Sequence, residues 1–425
     1  MKLISINNID YEIVVVGMGY VGLTYSLYFN KLGYAVTGID NNVDLNEKIN
    51  SKKLPFYEKG LEKSLNRFIS NNMIIVQSPD EFKSKVSDRA KIYIITVGTP
   101  IENNKINKNS LDNVFFFLQN IIQENDAISL RSTVALGYTR KYCEKINKNL
   151  KYCFAPERTI EGKAIEELSI LPQVFGANDI NSKSFFKEFY SKVSKEIFEV
   201  SSTESAELVK LTSNVYRDVI FGFSNEISLI SHKNNINSSE VIAACNYNYP
   251  RCNIYSSGPV GGPCLSKDSY ILAESIDEKN TKSLILTARK LNENYAIEVL
   301  GSLISNAKNA CILGLSFKGD PPTNDIRDSY ALQIVDFLKS KNITVSAYDP
   351  MVFEEDFKNL CLKRDKTLED AFKNKDLIII QNNNEIFRRM NIDKLSELTN
   401  NGSIILDLWS MFNKVNVVKS KYISL

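Results

Sequence analysis

Cys264 ends a run of glycines and prolines in SSGPVGGPCLSKDSY, and Lys267 and Asp268 follow within four residues. Gly258, Gly261 and Gly262, with Pro259 and Pro263, describe a stiff loop that another molecule can approach closely, presenting a thiol. A nearby ammonium stabilises a thiolate and raises its nucleophilic competence, so covalent catalysis is the chemistry this segment could do. Lys210 and Asn214 are spaced i, i+4 in a helical pattern and share one face. Such a pair can donate hydrogen bonds to an oxyanion or hold a water. Taken singly, the cysteine also fits a buried structural residue and the pair a solvated helix face. Their combination is what points to a site.

Two further segments place polar groups just after strand-like runs. FAPERTIEGKAIEEL puts Glu157 behind a strand with Glu161 four residues on, and RSTVALG puts Ser132 and Thr133 at a strand end. Loops leaving the strands of an open α/β sheet are where such sheets bind ligands. GMGYVG follows the strand-like EIVVV and opens the helical VGLTYSLYFNKLG. Gly17 permits a tight turn, Gly19 lets the backbone approach a pyrophosphate, and Gly22 lets helix and strand pack closely. Tyr20 and Val21 belong to the same turn. Asp40 ends the next strand, YAVTGID, 18 residues after Gly22. A carboxylate there accepts hydrogen bonds from a ribose 2′-hydroxyl and repels a 2′-phosphate, so NAD is expected rather than NADP.

These residues need elements to position them. YEIVVVG, YAVTGID, KIYIITVG, DAISLRSTV and QVFGA read as strands buried on both faces, the pattern of a doubly wound α/β domain. Two long helical stretches follow, TESAELVKLTSNVYRDVIFGFSNEISLIS and DEKNTKSLILTARKLNENYAIEVLGSLIS, without strands. Strand–helix alternation resumes with NACILGLSF, NITVSAYDP, DLIIIQNN and SIILDLWS, a second and smaller α/β unit. The expected division is a Rossmann-type domain over 1–202, a central helical domain over 203–308 and a C-terminal α/β domain over 309–425. ENNKINKNS after Pro100 reads as a mobile surface loop.

Composition narrows the function classes. The 425 residues carry 52 basic and 50 acidic side chains, a balance that argues against a dedicated nucleic-acid binder. Seven cysteines without a C-x-x-C pair suggest neither a zinc site nor a disulfide framework. The sole histidine, His232, lies in the polar stretch SHKNNINSS, which argues against Ser–His–Asp hydrolysis, and is expected to face solvent. MKLISINNID turns polar too quickly for a secretory signal, and no apolar run reaches membrane-spanning length, so a cytoplasmic protein is expected.

The ordered set GMGYVG, VGTP, STV, APERTIEG, the Lys210/Asn214 pair, GGPCLSKD, GLSFKGDPPTNDIRDS and YDP runs along nearly all of the chain. It resembles the UDP-glucose/GDP-mannose dehydrogenase family, whose members oxidise nucleotide sugars to uronic acids. The resemblance implies that Cys264 is the nucleophile, Asp268 its acid–base partner, and Lys210 with Asn214 the pair that holds a water and stabilises alkoxide and tetrahedral intermediates. Glu157 then assists thioester hydrolysis and Thr133 orients. Thr99, Glu161, Lys267 and Lys318 are implied near the cofactor, and Arg251, Gly261 and Arg327 near the sugar nucleotide. Arg251 resembles an arginine that reaches the sugar from a neighbouring subunit. The implied reaction takes a C6 alcohol through an aldehyde, a cysteine thiohemiacetal and a thioester to the acid, with NAD as oxidant. A homodimer built on the middle helices and a UDP-sugar held by the C-terminal domain are also implied.

Pro263 stands where glucose-type members often have Ser, while Lys267 is glucose-like. PERTIEGKAIEELSILPQ resembles the N-acetylhexosamine type, and Leu408 and Trp409 replace a stretch where glucose-type members carry arginines. A UDP-N-acetylhexosamine is therefore expected ahead of UDP-glucose. Two other readings stay open at this level: a two-electron hydroxyacid dehydrogenase with the same Rossmann domain and Lys–Asn pair, and a non-catalytic binding protein that keeps the fold.

Overall fold

Consecutive apolar residues along a strand point to opposite faces, so both faces of such a strand must be covered. The computed structural model, which describes residues 2–147, 149–276, 283–304, 307–412 and 415–425, shows that coverage directly. Ile13, Val15, Ile92 and Ile94 sink into one core, while Val14, Val16, Tyr93 and Ile95 sink into another on the opposite face.

The chain divides into two compact units, one of residues 1–213 with 270–276 and one of 214–269 with 277–425. The first contains β1 (Ile4–Ile6), β2 (Ile9–Val16), β3 (Val36–Ile39), β4 (Ile74–Gln77), β5 (Lys91–Ile95), β6 (Ile101–Glu102), β7 (Lys105–Ile106), β8 (Ala127–Leu130), β9 (Lys151–Phe154), β10 (Gln173–Gly176) and β11 (Ile197–Val200). Its main sheet runs β4-β3-β2-β5-β8-β9-β10-β11, with β1 antiparallel on β2. From β4 to β9 every pairing is parallel; β10 then runs antiparallel to β9. The chain moves outward from β2 to β3 on one side and to β5 on the other. The strand order therefore reverses between β2 and β5, where open α/β sheets bind ligands.

The second unit has β12 (Asn309–Leu313), β13 (Thr344–Tyr348), β14 (Lys363–Arg364), β15 (Leu377–Ile380), β16 (Ser403–Asp407) and β17 (Ser420–Ser424). They order as β14-β13-β12-β15-β16-β17, all parallel, so the doubly wound order occurs twice in one chain. Ile312, Ile379 and Leu406 fill one face, and Leu313, Ile380 and Ile405 the other.

The long helix Thr203–Lys233 has 31 residues, roughly 46 Å at 1.5 Å per residue. Shorter helices follow at Ser238–Asn246 and Leu265–Ala273, then Leu284–Leu303. The last of these begins later than its sequence pattern suggests. Ser283 caps it by accepting from the Leu286 N–H at 3.2 Å. The expected residues 277–282 and Ser305 lie outside the described residues.

Two expectations need correction. ENNKINKNS is an ordered turn: β6 and β7 pair antiparallel around Asn103 and Asn104, and a helix opens at Asn109. Both asparagines take positive φ, 51° and 60°, which a two-residue hairpin turn requires and which Asn tolerates. His232 is half-buried in the last turn of its helix rather than fully solvent-facing. No described helix is long and apolar enough to cross a membrane.

Candidate active site

The glycine turn after β2 has the geometry its spacing predicts. Gly17 has φ +93°, and a Cβ there would stand 2.9 Å from the Val97 backbone nitrogen. Gly22 packs so closely that a Cβ would run into the Gly17 carbonyl oxygen and come within 2.7 Å of Thr96 Oγ1. Over Gly19, by contrast, a Cβ would meet nothing within 4 Å. This glycine caps the helix Tyr20–Lys31, so the space opens at a helix N-terminus, where unpaired N–H groups favour phosphate. A cavity of about 370 Å³ begins here, lined by Gly17, Gly19, Asp40, Asn42, Thr96 and Gly98 among others. Asp40 lies at the end of β3, its Oδ2 accepting from the Met18 N–H at 2.7 Å and its Oδ1 from the Asn42 N–H at 2.9 Å. Those bonds fix the carboxylate, and each oxygen keeps a lone pair for a hydroxyl. The residues present therefore fit a dinucleotide.

Loops from neighbouring strand ends are tied together around this turn. Thr99 Oγ1 donates to the Thr133 carbonyl at 2.6 Å, joining VGTP to STV. The Tyr20 hydroxyl pairs with Glu58, whose carboxylate also accepts from the Gly162 N–H at 2.7 Å and the Ala164 N–H at 2.9 Å. That arrangement anchors the loop carrying Glu161 to the turn carrying Tyr20 and Val21. Burial first, then the Glu58 carboxylate, push the Tyr20 hydroxyl upward, so it stays a donor.

Glu157 is held in an unexpected way. Arg131, at the end of β8, donates to its Oε2 at 2.7 Å, and the Arg158 and Thr159 N–H groups donate to its Oε1 at 2.9 and 2.8 Å. Burial alone would raise this carboxyl, but the Arg131 guanidinium and the Thr159 N–H outweigh it and hold it below the ordinary range. A carboxylate so satisfied is a weak base. Its backbone carbonyl meanwhile accepts from Lys210 Nζ at 2.6 Å, so the loop orients the lysine.

In the second unit, Cys264 is exposed and immediately precedes the helix Leu265–Ala273; its carbonyl accepts from the Asp268 N–H at 3.0 Å. That position lies at the N-terminal end of the helix, the positive end of its dipole. Asp268, one turn on, is buried and receives Asn214 Nδ2 at 2.6 Å on one oxygen and Lys267 Nζ at 2.8 Å on the other. Lys267 thus pairs with Asp268. The loop rests against GLSFKGDPPTNDIRDS: Gly261 abuts the Asp328 carbonyl, which accepts from the Gly262 N–H at 2.8 Å, and Gly262 packs on Phe317. Lys318 lies 5.5 Å over the Phe317 ring. Arg327 forks onto Asp325 with Nε–O distances of 3.0 and 2.9 Å, and Arg251 stacks 4.4 Å over Tyr249 while donating to its hydroxyl.

The first unit thus gathers Gly17, Gly19, Tyr20, Val21, Gly22, Asp40, Thr99, Thr133, Glu157, Glu161 and Lys210. The second gathers Asn214, Gly261, Cys264, Lys267, Asp268, Lys318 and Arg327, with Arg251 on the surface nearby in sequence. Sequence reasoning passed over Arg131, Glu58 and Asp218. The i, i+4 step from Lys210 to Asn214 continues to Asp218, a signal that was legible; PFYEKG carries none for Glu58.

Sequence models of the UDP-glucose/GDP-mannose dehydrogenase family match this chain in three stretches: the NAD binding domain over 11–194, the central domain over 204–294 and the UDP binding domain over 311–414. The chain is 30% identical over 423 residues to the UDP-N-acetyl-D-mannosamine dehydrogenase of Methanococcus aeolicus, covering 95% of this chain and 92% of that one. It is 27% identical over 430 residues to the UDP-glucose 6-dehydrogenase of Rickettsia conorii, covering 96% and 97%. The solved UDP-D-ManNAc dehydrogenase of Pyrococcus horikoshii superposes with a TM-score of 0.86 at 26% identity, covering 97% of this chain and 98% of that one.

Proposed function

The chain belongs to the UDP-glucose/GDP-mannose dehydrogenase family of NAD-dependent oxidoreductases, and on that footing we propose that it oxidises a nucleotide sugar at carbon 6 to the uronic acid through Cys264. One observation carries this reading. An exposed thiol precedes a helix whose first turn holds a buried carboxylate, Asp268, clamped by Asn214 and Lys267.

NAD, when bound against Gly17, Gly19, Gly22 and Asp40, would accept one hydride, so the two oxidations would consume two NAD molecules in turn. Thr99, Glu161, Lys267 and Lys318 are assigned to the cofactor side, and Arg251, Gly261 and Arg327 to the sugar nucleotide. After the alcohol has become an aldehyde, the Cys264 thiolate adds to its carbon and leaves an oxyanion. The Lys210 ammonium and Asn214 amide are suited to stabilise that charge. Oxidation of the thiohemiacetal gives a thioester; water then attacks it and the thiolate departs with the acid formed. Asp268 passes the proton, Thr133 orients, and the attacking water is held by the Lys210/Asn214 pair. The Arg131 pairing leaves Glu157 little basicity, so its part is read as fixing Lys210 and contributing negative charge. Splitting the second oxidation over a covalent intermediate keeps the reactive aldehyde on the enzyme.

Within this reading, residues 1–202 bind NAD, 203–308 form a central helical domain, and 309–425 bind the UDP end. A homodimer is supported by Tyr216, Phe223 and Ile230, seven residues apart on the long helix and 55%, 49% and 52% exposed. Seven cysteines, none of them in a disulfide among the described residues, suit a reducing cytoplasm. UDP-N-acetylhexosamine is the preferred sugar; the name of the Methanococcus relative makes N-acetylmannosamine the first to assay.

The test is a panel of UDP-N-acetylmannosamine, UDP-N-acetylglucosamine, UDP-N-acetylgalactosamine and UDP-glucose, with NADH counted per sugar consumed. Two NADH and an acid product are expected. One NADH per sugar refutes the four-electron reading, and turnover of UDP-glucose alone refutes the sugar assignment.

A further inference from the structure

Behind the cysteine loop lies a buried ionic cluster for which the oxidation chemistry has no use. Asp218 on the helix Thr203–Lys233 and Arg289 on the helix Leu284–Leu303 are 0% and 1% exposed, and their Oδ1 and NH1 are 2.8 Å apart. The guanidinium does more than pair. Its NH2 donates to the Val260 carbonyl and its NH1 to the Leu265 carbonyl, both at 3.2 Å, so one rigid group holds the backbone on either side of Cys264. Glu293, one turn along, approaches the remaining Nε at 3.2 Å.

The same cluster reaches the loop at two further points. Asp218 Oδ2 accepts from Ser269 Oγ at 2.7 Å, next to Asp268. Asn292 Nδ2 donates to both the carbonyl and Oδ1 of Asp218 at 2.8 Å. Asn292 Oδ1 in turn accepts from Asn225, whose amide clamps Gly258 at 2.8 and 3.1 Å. The loop is thereby pinned at residues 258, 260, 265 and 269, bracketing the thiol.

Net stability does not explain such a cluster. A buried ion pair costs about as much to desolvate as it returns, and apolar residues of similar volume often do as well. A planar guanidinium with fixed donor directions, however, sets the path of a flexible glycine loop in a way that apolar packing cannot. We propose that Arg289, oriented by Asp218, is a positioning residue that sets where the Cys264 sulfur stands relative to Asp268. This rests on the reading of Cys264 as nucleophile.

The test uses the full chain as Arg289→Lys, the charge-neutral pair Asp218→Asn with Arg289→Met, and Cys264→Ser. Iodoacetamide labelling at one fixed pH is followed by peptide mass spectrometry, with exposed Cys361 as internal reference, beside kcat, KM and the thermal midpoint. Displacement of the loop by an ångström is expected to lower kcat about 10- to 100-fold with KM little changed. The Cys264/Cys361 labelling ratio shifts by about fivefold or more, tracking thiol placement and thiolate fraction. Arg289→Lys, keeping the charge but not the fork, falls between the double variant and wild type. Folded variants whose labelling ratio and kcat stay within about twofold of wild type overturn the proposal. If the double variant does not fold, Arg289→Lys decides by the same criterion. Acid formation by Cys264→Ser sinks the nucleophile reading instead, while the labelling ratio still reports whether the loop is braced.

Discussion

Gly19 and Gly22 lie three residues apart in one turn, yet the structure assigns them different work, and alanine at each position separates the two. At Gly22 a methyl would stand 2.7 Å from Thr96 Oγ1 and collide with the Gly17 carbonyl oxygen. Non-bonded C···O contacts settle near ~3.3–3.6 Å, so the helix Tyr20–Lys31 must move off the sheet by more than half an ångström. Overpacking of this kind costs about 1–3 kcal/mol, offset by up to about 1 kcal/mol for replacing glycine within a helix. A net loss of about 1–2 kcal/mol lowers the melting temperature by about 2–8 °C in a unit of this size. At Gly19 the backbone has φ −65° and a methyl meets nothing, so stability changes by less than about 0.5 kcal/mol. That methyl does, however, project over the cavity mouth at the helix N-terminus. NAD affinity should fall by at least about tenfold, or about 1.4 kcal/mol. Thermal unfolding without NAD, beside calorimetric titration with NAD, reads both quantities. A Gly19→Ala protein that binds NAD like wild type, or a Gly22→Ala protein that melts like it, refutes the reasoning.

Cys264→Ser should abolish acid formation while leaving NAD binding intact; full acid output, measured chromatographically, counts against the covalent relay. Asp40→Ala removes the carboxylate at the cavity rim, so the ratio of NADP to NAD affinity should rise by about tenfold, as loss of one charge-assisted bond implies. An unchanged ratio would dismiss the ribose contact. Glu207 is pushed up to about 7 by burial, despite donors from Gly137 and Thr139. A carboxyl raised in the folded state binds its proton more tightly there, so its contribution to stability declines as pH rises from about 4.5 to 7 and is constant above. The decline is at most about 3 kcal/mol. Urea unfolding across that window should show a steeper fall in wild type than in Glu207→Gln, and parallel curves would reject the assignment.

What the amino-acid order determined was whatever depends on neighbours within a few residues. Apolar runs marked the principal strands, three glycines and Asp40 outlined the cofactor turn, and the i, i+4 step set Lys210 and Asn214 on one face. Shorter or edge strands escaped that reading: β14 and β17 have little continuous apolar pattern, and the short apolar runs of β4 and β11, each with one or both faces towards solvent, were passed over. The Asn103–Asn104 hairpin was local but was masked by its polar composition.

Only the folded chain decided which charges meet. Arg131 finds Glu157 across 26 residues, Asn214 finds Asp268 across 54, and Arg289 finds Asp218 across 71. A buried charge must be paired, but the identity of its partner depends on which strand ends and helix faces the topology brings together. Spacing along the chain does not carry that information. For this reason the sequence placed Glu157 behind a strand without naming Arg131, the partner that holds it once folded.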